Sequence, residues 1–244
     1  MTDQKTMAYI NLYAVLGTLE NLCEIVPEAS AMLTNTKPIS IGFEVKDGPS
    51  ATITFKNVSK CDVKLPFSSC EKFNGLIDGT VTPIPSKGFQ HIKFLLKTFT
   101  PLTDLLAKYM RPSPEDLQDR TFFEQSTTLM LYTIAVAISQ IANNDKIGQF
   151  SASHIVDGEI GFGIKDGPAV TIRAKNGRLV TIKKRCENPR AEMEFASMDL
   201  ARDLFDGKIN AVACIGMGAI TMKGMISMID NMNRLLDRVA LYLA

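Results

Sequence analysis

The sequence predicts an α+β protein made of two diverged copies of one small unit in tandem. Three observations lead there. Ile41–Asn57 (IGFEVKDGPSATITFKN) recurs without gaps as Ile160–Asn176 (IGFGIKDGPAVTIRAKN), with eleven of seventeen positions identical at an offset of 119. Each repeat follows a stretch with helical apolar periodicity, so the order helix, strand, turn, strand occurs twice. The length of 244 residues suits two domains of about 110 to 120, each able to bury a core without disulfides or metals.

In the first copy Tyr9, Leu12, Leu16, Leu19, Cys23 and Val26 fall on one helical face; in the second, Met130, Ile134, Ala137, Ile138 and Ile141 do. At the offset of 119, Leu12 meets Leu131, Leu19 meets Ile138 and Leu22 meets Ile141. Within the repeat, β-prone runs flank Asp47-Gly48-Pro49 and Asp166-Gly167-Pro168, the pattern of two strands joined by a turn. The glycine is expected to supply a positive φ there, and the proline to stop further pairing. Downstream, Asp78-Gly79 aligns with Asp206-Gly207 at an offset of 128, and Lys87-Gly88 with Lys223-Gly224 at 136. The first copy is therefore 17 residues shorter, and it carries Pro83 and Pro85 where the second has a β-prone run. Its sheet should be trimmed or irregular at that end. The polar, proline-containing stretch Arg111–Asp119 marks a linker, giving a first copy at 1–111, a linker at 112–119 and a second copy at 120–244.

Charge and composition narrow the function. Lys plus Arg (27) nearly balances Asp plus Glu (26), so no global field attracts nucleic acid or an anionic surface. The longest apolar runs, Leu129–Ala142 and Ile209–Met222, are too short to span a bilayer, and the N-terminal segment lacks the pattern of a secretory signal. The reading is a soluble, cytoplasmic protein without stable membrane insertion. Cys23, Cys61, Cys70, Cys186 and Cys214 are odd in number and lack any Cys-x-x-Cys pair, which suggests reduced thiols, structural rather than reactive.

In order, the second copy shows GEIGFGIKDGP, the turn AKNG (Ala174–Gly177), a strand AEMEFASM, a short helix ending in LFDGKINAVA, then GAITMKGM and an amphipathic C-terminal helix. Over roughly Thr128–Ala244 this resembles the sterol carrier (nonspecific lipid-transfer) domain family. The resemblance implies sterol-carrier-like units, each with a curved, mainly antiparallel five-stranded sheet covered on one face by helices. It also implies an apolar tunnel that takes fatty acyl chains, sterols or similar lipids. The residues themselves agree: Met225, Met228, Ile229, Met232, Leu235, Leu236 and Val239 form one helical stripe, methionine-rich in its first half. Methionine is unbranched and polarisable, suited to a cavity that accepts varied shapes. Burying ten methylenes would contribute on the order of 8 kcal/mol before association costs. The expected ligand-binding residues are Phe205, Ile209, Met217, Met222, Met225, Met228, Ile229 and Met232; the same stripe would serve equally as plain core. In the first copy Phe89, Ile92, Leu95, Leu96 and Phe99 are bulky, which suggests a closed, structural unit.

Catalytic parts are missing from the pattern. His91 and His154 occupy non-matching positions without ligand-spaced partners, and there is no Gly-x-Ser-x-Gly elbow or phosphate loop. Asp157 and Glu159 near His154 fit a solvated turn better than an acid–base group, and Asp206 and Lys208 fit the end of a short helix. The expectation is a non-enzyme without cofactor or metal, binding an apolar small molecule or lipid. A non-catalytic scaffold, or an accessory domain presenting a lipid-linked substrate to an enzyme, is the alternative; both leave room for a protein partner or a homo-oligomer.

Overall fold

The computed structural model describes residues 2–56, 60–209 and 211–243. Asn57 at the end of the first repeat, Asn210 in the segment after the short helix, and the terminal Met1 and Ala244 lie outside the described residues. The chain divides into two compact units, Met1–Glu115 and Asp116–Ala244.

In unit 1 the Asp3 carboxylate caps α1 (Gln4–Tyr9), accepting the Thr6 amide at 3.0 Å. The helix widens to a π turn over Ile10–Val15, tightens over Leu16–Thr18 and continues as α2 (Leu19–Ile25). Pro27 opens α3 (Pro27–Leu33), where a missing N–H is harmless. Then come β1 (Ile39–Val45), β2 (Ser50–Phe55), β3 (Val63–Phe67) and α4 (Cys70–Ile77). A last helical run comprises α5 (Ile92–Phe94), a π turn at Leu95–Phe99 and α6 (Thr100–Met110). The sheet order is β2-β1-β3, with β1–β2 antiparallel and β1–β3 parallel.

Unit 2 begins with α7 (Arg120–Asn144) and α8 (Lys146–Ser153), followed by β4 (Gly158–Ile164), β5 (Ala169–Lys175), β6 (Arg178–Ile182) and β7 (Ala191–Phe195). It ends with α9 (Met198–Phe205), α10 (Ala211–Gly216), β8 (Ile220–Gly224) and α11 (Ile226–Leu243). Its five strands run β6-β5-β4-β7-β8; only β4–β7 is parallel. The fold class is thus α+β, mainly antiparallel in unit 2 and mixed in the smaller sheet of unit 1.

The units agree in register as well as order. Ile41 pairs with Ile53 as Ile160 pairs with Ile172, and Phe43 meets Leu65 as Phe162 meets Met193. Ser69 and Ser197 cap α4 and α9 in the same way. The expected trimming of unit 1 is a loss of pairing: the four bonded pairs beginning at Glu192↔Lys223 and the fifth at Ala191↔Gly224 shrink to one bridge, Lys64↔Lys87. Pro66 stands on the edge strand this leaves, where its missing donor is tolerated.

One turn differs from expectation. Positive φ falls on Asp47 (58°) and Asp166 (55°), not on the glycines that follow. Aspartate enters this region more readily than most residues. Gly48 is needed for space instead, because a Cβ there would lie 2.7 Å from the Cys70 sulfur. The AKNG turn behaves as read, with Asn176 and Gly177 both at positive φ between β5 and β6.

Gly224 combines φ +84° with a site where a Cβ would meet the Arg190 carbonyl oxygen at 2.2 Å; Gly88 repeats this against Asp62. Gly207 also has positive φ (+68°), but nothing lies within 4 Å of its missing side chain. Gly224→Ala should therefore destabilise by roughly 3 kcal/mol or more, backbone strain plus overpacking, and Gly207→Ala by about 1 kcal/mol. Chemical denaturation of both variants checks this; equal losses would mean that the close approach does not govern the strand end.

Candidate functional site

The alternation of β4, β7 and β8 sorts the side chains of unit 2 onto two faces. Ile160, Phe162, Ile164, Ala191, Met193, Phe195 and Ile220 are buried on the face that carries the helices. Met222 lies directly opposite Met193, and Ile220 opposite Phe195. Directly opposed residues share a face, so Met193 and Met222 sit side by side on the helix-facing side. α11 packs on β7, β8, α7 and α8.

The expected ligand-binding residues occupy three settings. Met228, Ile229 and Met232 are 0%, 2% and 0% exposed on α11. Phe205, Ile209, Met222 and Met225 are half-buried, with the Phe205 ring edge-on to Phe195 at 5.7 Å. Met217 stands apart, 75% exposed in the turn after α10, where Gly218 at φ +73° redirects the chain toward β8. Met193 was missed by the helical-stripe reading; the alternation in AEMEF and its pairing with Met222 place it on the same seam.

α11 is fixed at both ends. The Met225 amide donates to the Arg190 carbonyl at 2.9 Å. At the other end Arg238 Nη2 and the Tyr242 hydroxyl donate to Asp145 Oδ2 at 2.6 and 2.7 Å, while Asp145 Oδ1 caps α8 through the Gly148 amide at 2.8 Å. Burial alone would raise the Asp145 pKa, but the Gly148 amide, the Tyr242 hydroxyl and the Arg238 guanidinium together hold it below the ordinary carboxylate value.

The opposite face is polar and crossed by the segment from Lys183 to Arg190. Arg185 donates to Glu194 (3.0 Å) and the Ile164 carbonyl (2.7 Å), and the Cys186 thiol donates to Glu159 (2.9 Å). What remains there is a space of about 10 Å³, room for one water at most. In unit 1 the corresponding face holds a hollow of about 300 Å³ bounded by Gly42, Thr52, Cys61, Lys64 and Lys87. Neither hollow contains any of the eight expected residues.

The residues considered for chemistry are not assembled. His154 Nδ1 is bonded to the Phe150 carbonyl at 2.8 Å, Asp157 accepts the Asn176 amide, and Glu159 pairs with Arg173. Asp206 ends α9 and pairs with Arg202 and Lys208. All five cysteines are free thiols; burial and then Glu24 push Cys23 up to about 11, and burial first of all raises Cys70 and Cys186. Among the described residues no three His, Cys, Asp or Glu side chains form a metal-binding group, and no helix is long and apolar enough to cross a membrane.

No protein-family model matches the chain, and no curated protein does. Over somewhat less than half its length it is similar to solved sterol carrier protein 2 domains. One is the sterol carrier protein domain 2 of Helicoverpa armigera (20% identity, 46% of this chain and 88% of that one, TM-score 0.37). Another is sterol carrier protein 2 from Yarrowia lipolytica in its apo form (18%, 43% and 88%, TM-score 0.32). It is also similar to the stereoselective inverting sec-alkylsulfatase from Pseudomonas sp. (10%, 59% and 28%, TM-score 0.27). Likenesses of this degree establish neither membership nor activity.

Asp145 offers a direct test of the clamp on α11. Its folded pKa is lowered, so its contribution is complete above the ordinary carboxylate value near 3.9 and is lost as pH falls through the folded value. Asp145→Asn should cost about 3 kcal/mol at neutral pH, since Arg238 stays buried without its charge partner. The variant should also lose stability less steeply than the parent below about pH 4. Urea titrations at several pH values check both; parallel pH profiles would show that Asp145 is not the titrating clamp.

Proposed function

We propose that unit 2 binds an apolar small molecule or lipid between its sheet and α11, and that the protein is a soluble, cytoplasmic, non-catalytic carrier. One observation carries this reading. Met193 and Met222 line the strands on which α11 lies, and Met228 and Met232 are fully buried on that helix. A core that only had to be solid would be better specified by branched or aromatic residues. The ordered sterol-carrier motifs along unit 2 point to the same ligand class.

We also propose that the units arose by duplication, supported by the shared register, caps and glycine contacts, and that unit 1 is closed. Its interior holds Phe43, Phe55, Phe67, Phe73 and Phe99 in mutual ring contacts of 5.1 to 6.2 Å. In unit 2, α11 is tied down at both ends, so room for a ligand has to come from methionine side chains changing rotamer. Such a seam admits a flexible acyl chain more readily than a rigid ring system.

Native mass spectrometry of the freshly purified protein, followed by organic extraction and lipid analysis, tests this. The expected result is an adduct that extraction removes, acyl in character, whose occupancy falls at least tenfold in Met228→Trp. A bare native mass, with added fatty acids also failing to bind, would remove the carrier reading and leave the scaffold reading in front.

A further inference from the structure

At the offset of 136 the last helical run of unit 1 matches α11, and the match has a physical anchor: Lys87 bridges Lys64 as Lys223 pairs with Glu192, and Gly88 presses on backbone as Gly224 does. Ile92 and Leu96 then correspond to Met228 and Met232, which are fully buried. In unit 1 the direction is reversed. Ile92 is 47% exposed, Leu96 65% and Phe89 58%, with Ile84 at 73% just before them. Inward positions are taken by Leu95, Phe99, Leu102 and Leu106, the run being reset by the π turn at Leu95–Phe99. Phe89, Ile92 and Leu96 are spaced three and four apart, so they form one outward apolar stripe.

The charged residues within that helical run have one sign. Lys93 and Lys97, both exposed, follow Ile92 and Leu96 in sequence where unit 2 has Ile229 and Asn233. Lys87, by contrast, lines the hollow on the other face of the sheet together with Glu44 and Lys64 and donates to the Cys61 carbonyl at 2.7 Å, so it does not belong to this stripe. From Gly79 to Thr103 there is no aspartate or glutamate, in a chain whose overall charge is only +1. A face merely uncovered by loss of a strand would be expected to turn polar and mixed in sign. This one keeps large apolar groups, and the charged residues of its own helical run are lysines.

We infer that unit 1 docks reversibly on an anionic lipid bilayer through this face. Phe89, Ile92 and Leu96 enter the headgroup–acyl boundary, and Lys93 and Lys97 lie over acidic headgroups. Large apolar side chains flanked by lysine are the composition of an interfacial helix, and long lysine stems reach headgroups while their bases stay near the apolar level. Each lysine near such a surface adds about fivefold to the partition coefficient, roughly twenty-five-fold for the two together. The inference stands independently of any ligand in unit 2.

Co-sedimentation of the full chain with two kinds of vesicle tests it: phosphatidylcholine alone, and phosphatidylcholine mixed with phosphatidylserine. Binding is expected only to the mixed vesicles, weakening as salt is raised. Lys93→Gln/Lys97→Gln should reduce it by up to about twenty-five-fold. Phe89→Ser/Leu96→Ser should abolish it, with an unchanged circular dichroism spectrum because both side chains are already exposed. Absence of binding, equal binding to neutral vesicles, or indifference to both variants would overturn the inference. So would sedimentation velocity showing a dimer that Leu96→Ser dissociates, since the stripe would then serve a second copy. Loss of vesicle binding with ligand occupancy in unit 2 unchanged would separate this inference from the carrier reading.

Discussion

β7 lies beside β4 and runs parallel to it, although the chain between them first goes out through β5 and β6 on β4's other flank. A parallel neighbour cannot be reached by a tight turn, so the connection has to cross the sheet. It crosses on the face away from the helices, where Gly161 presents no side chain and a Cβ would already touch Pro189 and Glu192 at 3.4 to 3.5 Å. The crossing is pinned by the Arg185, Cys186 and Thr171 hydrogen bonds and by Arg190 on the Asp157 carbonyl. This leaves the other face to the helices. β1 and β3 impose the same constraint in unit 1, over a connection nine residues shorter, with Cys61 approaching Gly42. The 300 Å³ hollow on that face lies where unit 2 has Arg185 and Cys186.

From one frame the two units take different paths because their last strands differ. β8 gives α11 a wide surface to cover, and the helix answers with Met228, Ile229 and Met232 facing inward. Unit 1 has one bridge in place of β8, so its last helix has less sheet to lie on. Phenylalanines from β1, β2, β3 and α4 fill what remains, and the helix meets them with Phe99 from its reset register. The displaced apolar residues then face outward, where burial cannot explain them.

The hairpins, the leading helices, the short capped helix and the closing helix were all legible because each is written in local chemistry: alternation, helical spacing, Asp-Gly and Asn-Gly turns, serine caps. Leu12, Leu19 and Leu22, like Leu131, Ile138 and Ile141, are buried as their spacing required. What escaped depends on partners distant in sequence or on backbone detail. The outward turn of Phe89, Ile92 and Leu96 follows from a π turn and a missing strand, and periodicity records neither. Asp145 is brought to Arg238 and Tyr242 across more than ninety residues, so nothing near it in sequence announces the contact. Met217 sits in an apolar run, yet glycines on both sides place it in a turn that projects outward.

The choice between a solid core and a ligand seam turns on which part of unit 2 can yield. Glycine contacts hold the end of β8 against β7, and the Met225 amide ties the start of α11 to the same place. Asp145 holds the far end of the helix to α8. Moving the helix bodily would break a hydrogen bond at one end, worth about one or two methylenes of burial, and a buried ion pair at the other, worth about four to six. Rotamer changes of unbranched side chains cost far less. Methionine at positions 193, 222, 228 and 232 therefore places the compliant groups where the backbone is most constrained, which is the arrangement the proposed carrier reading needs.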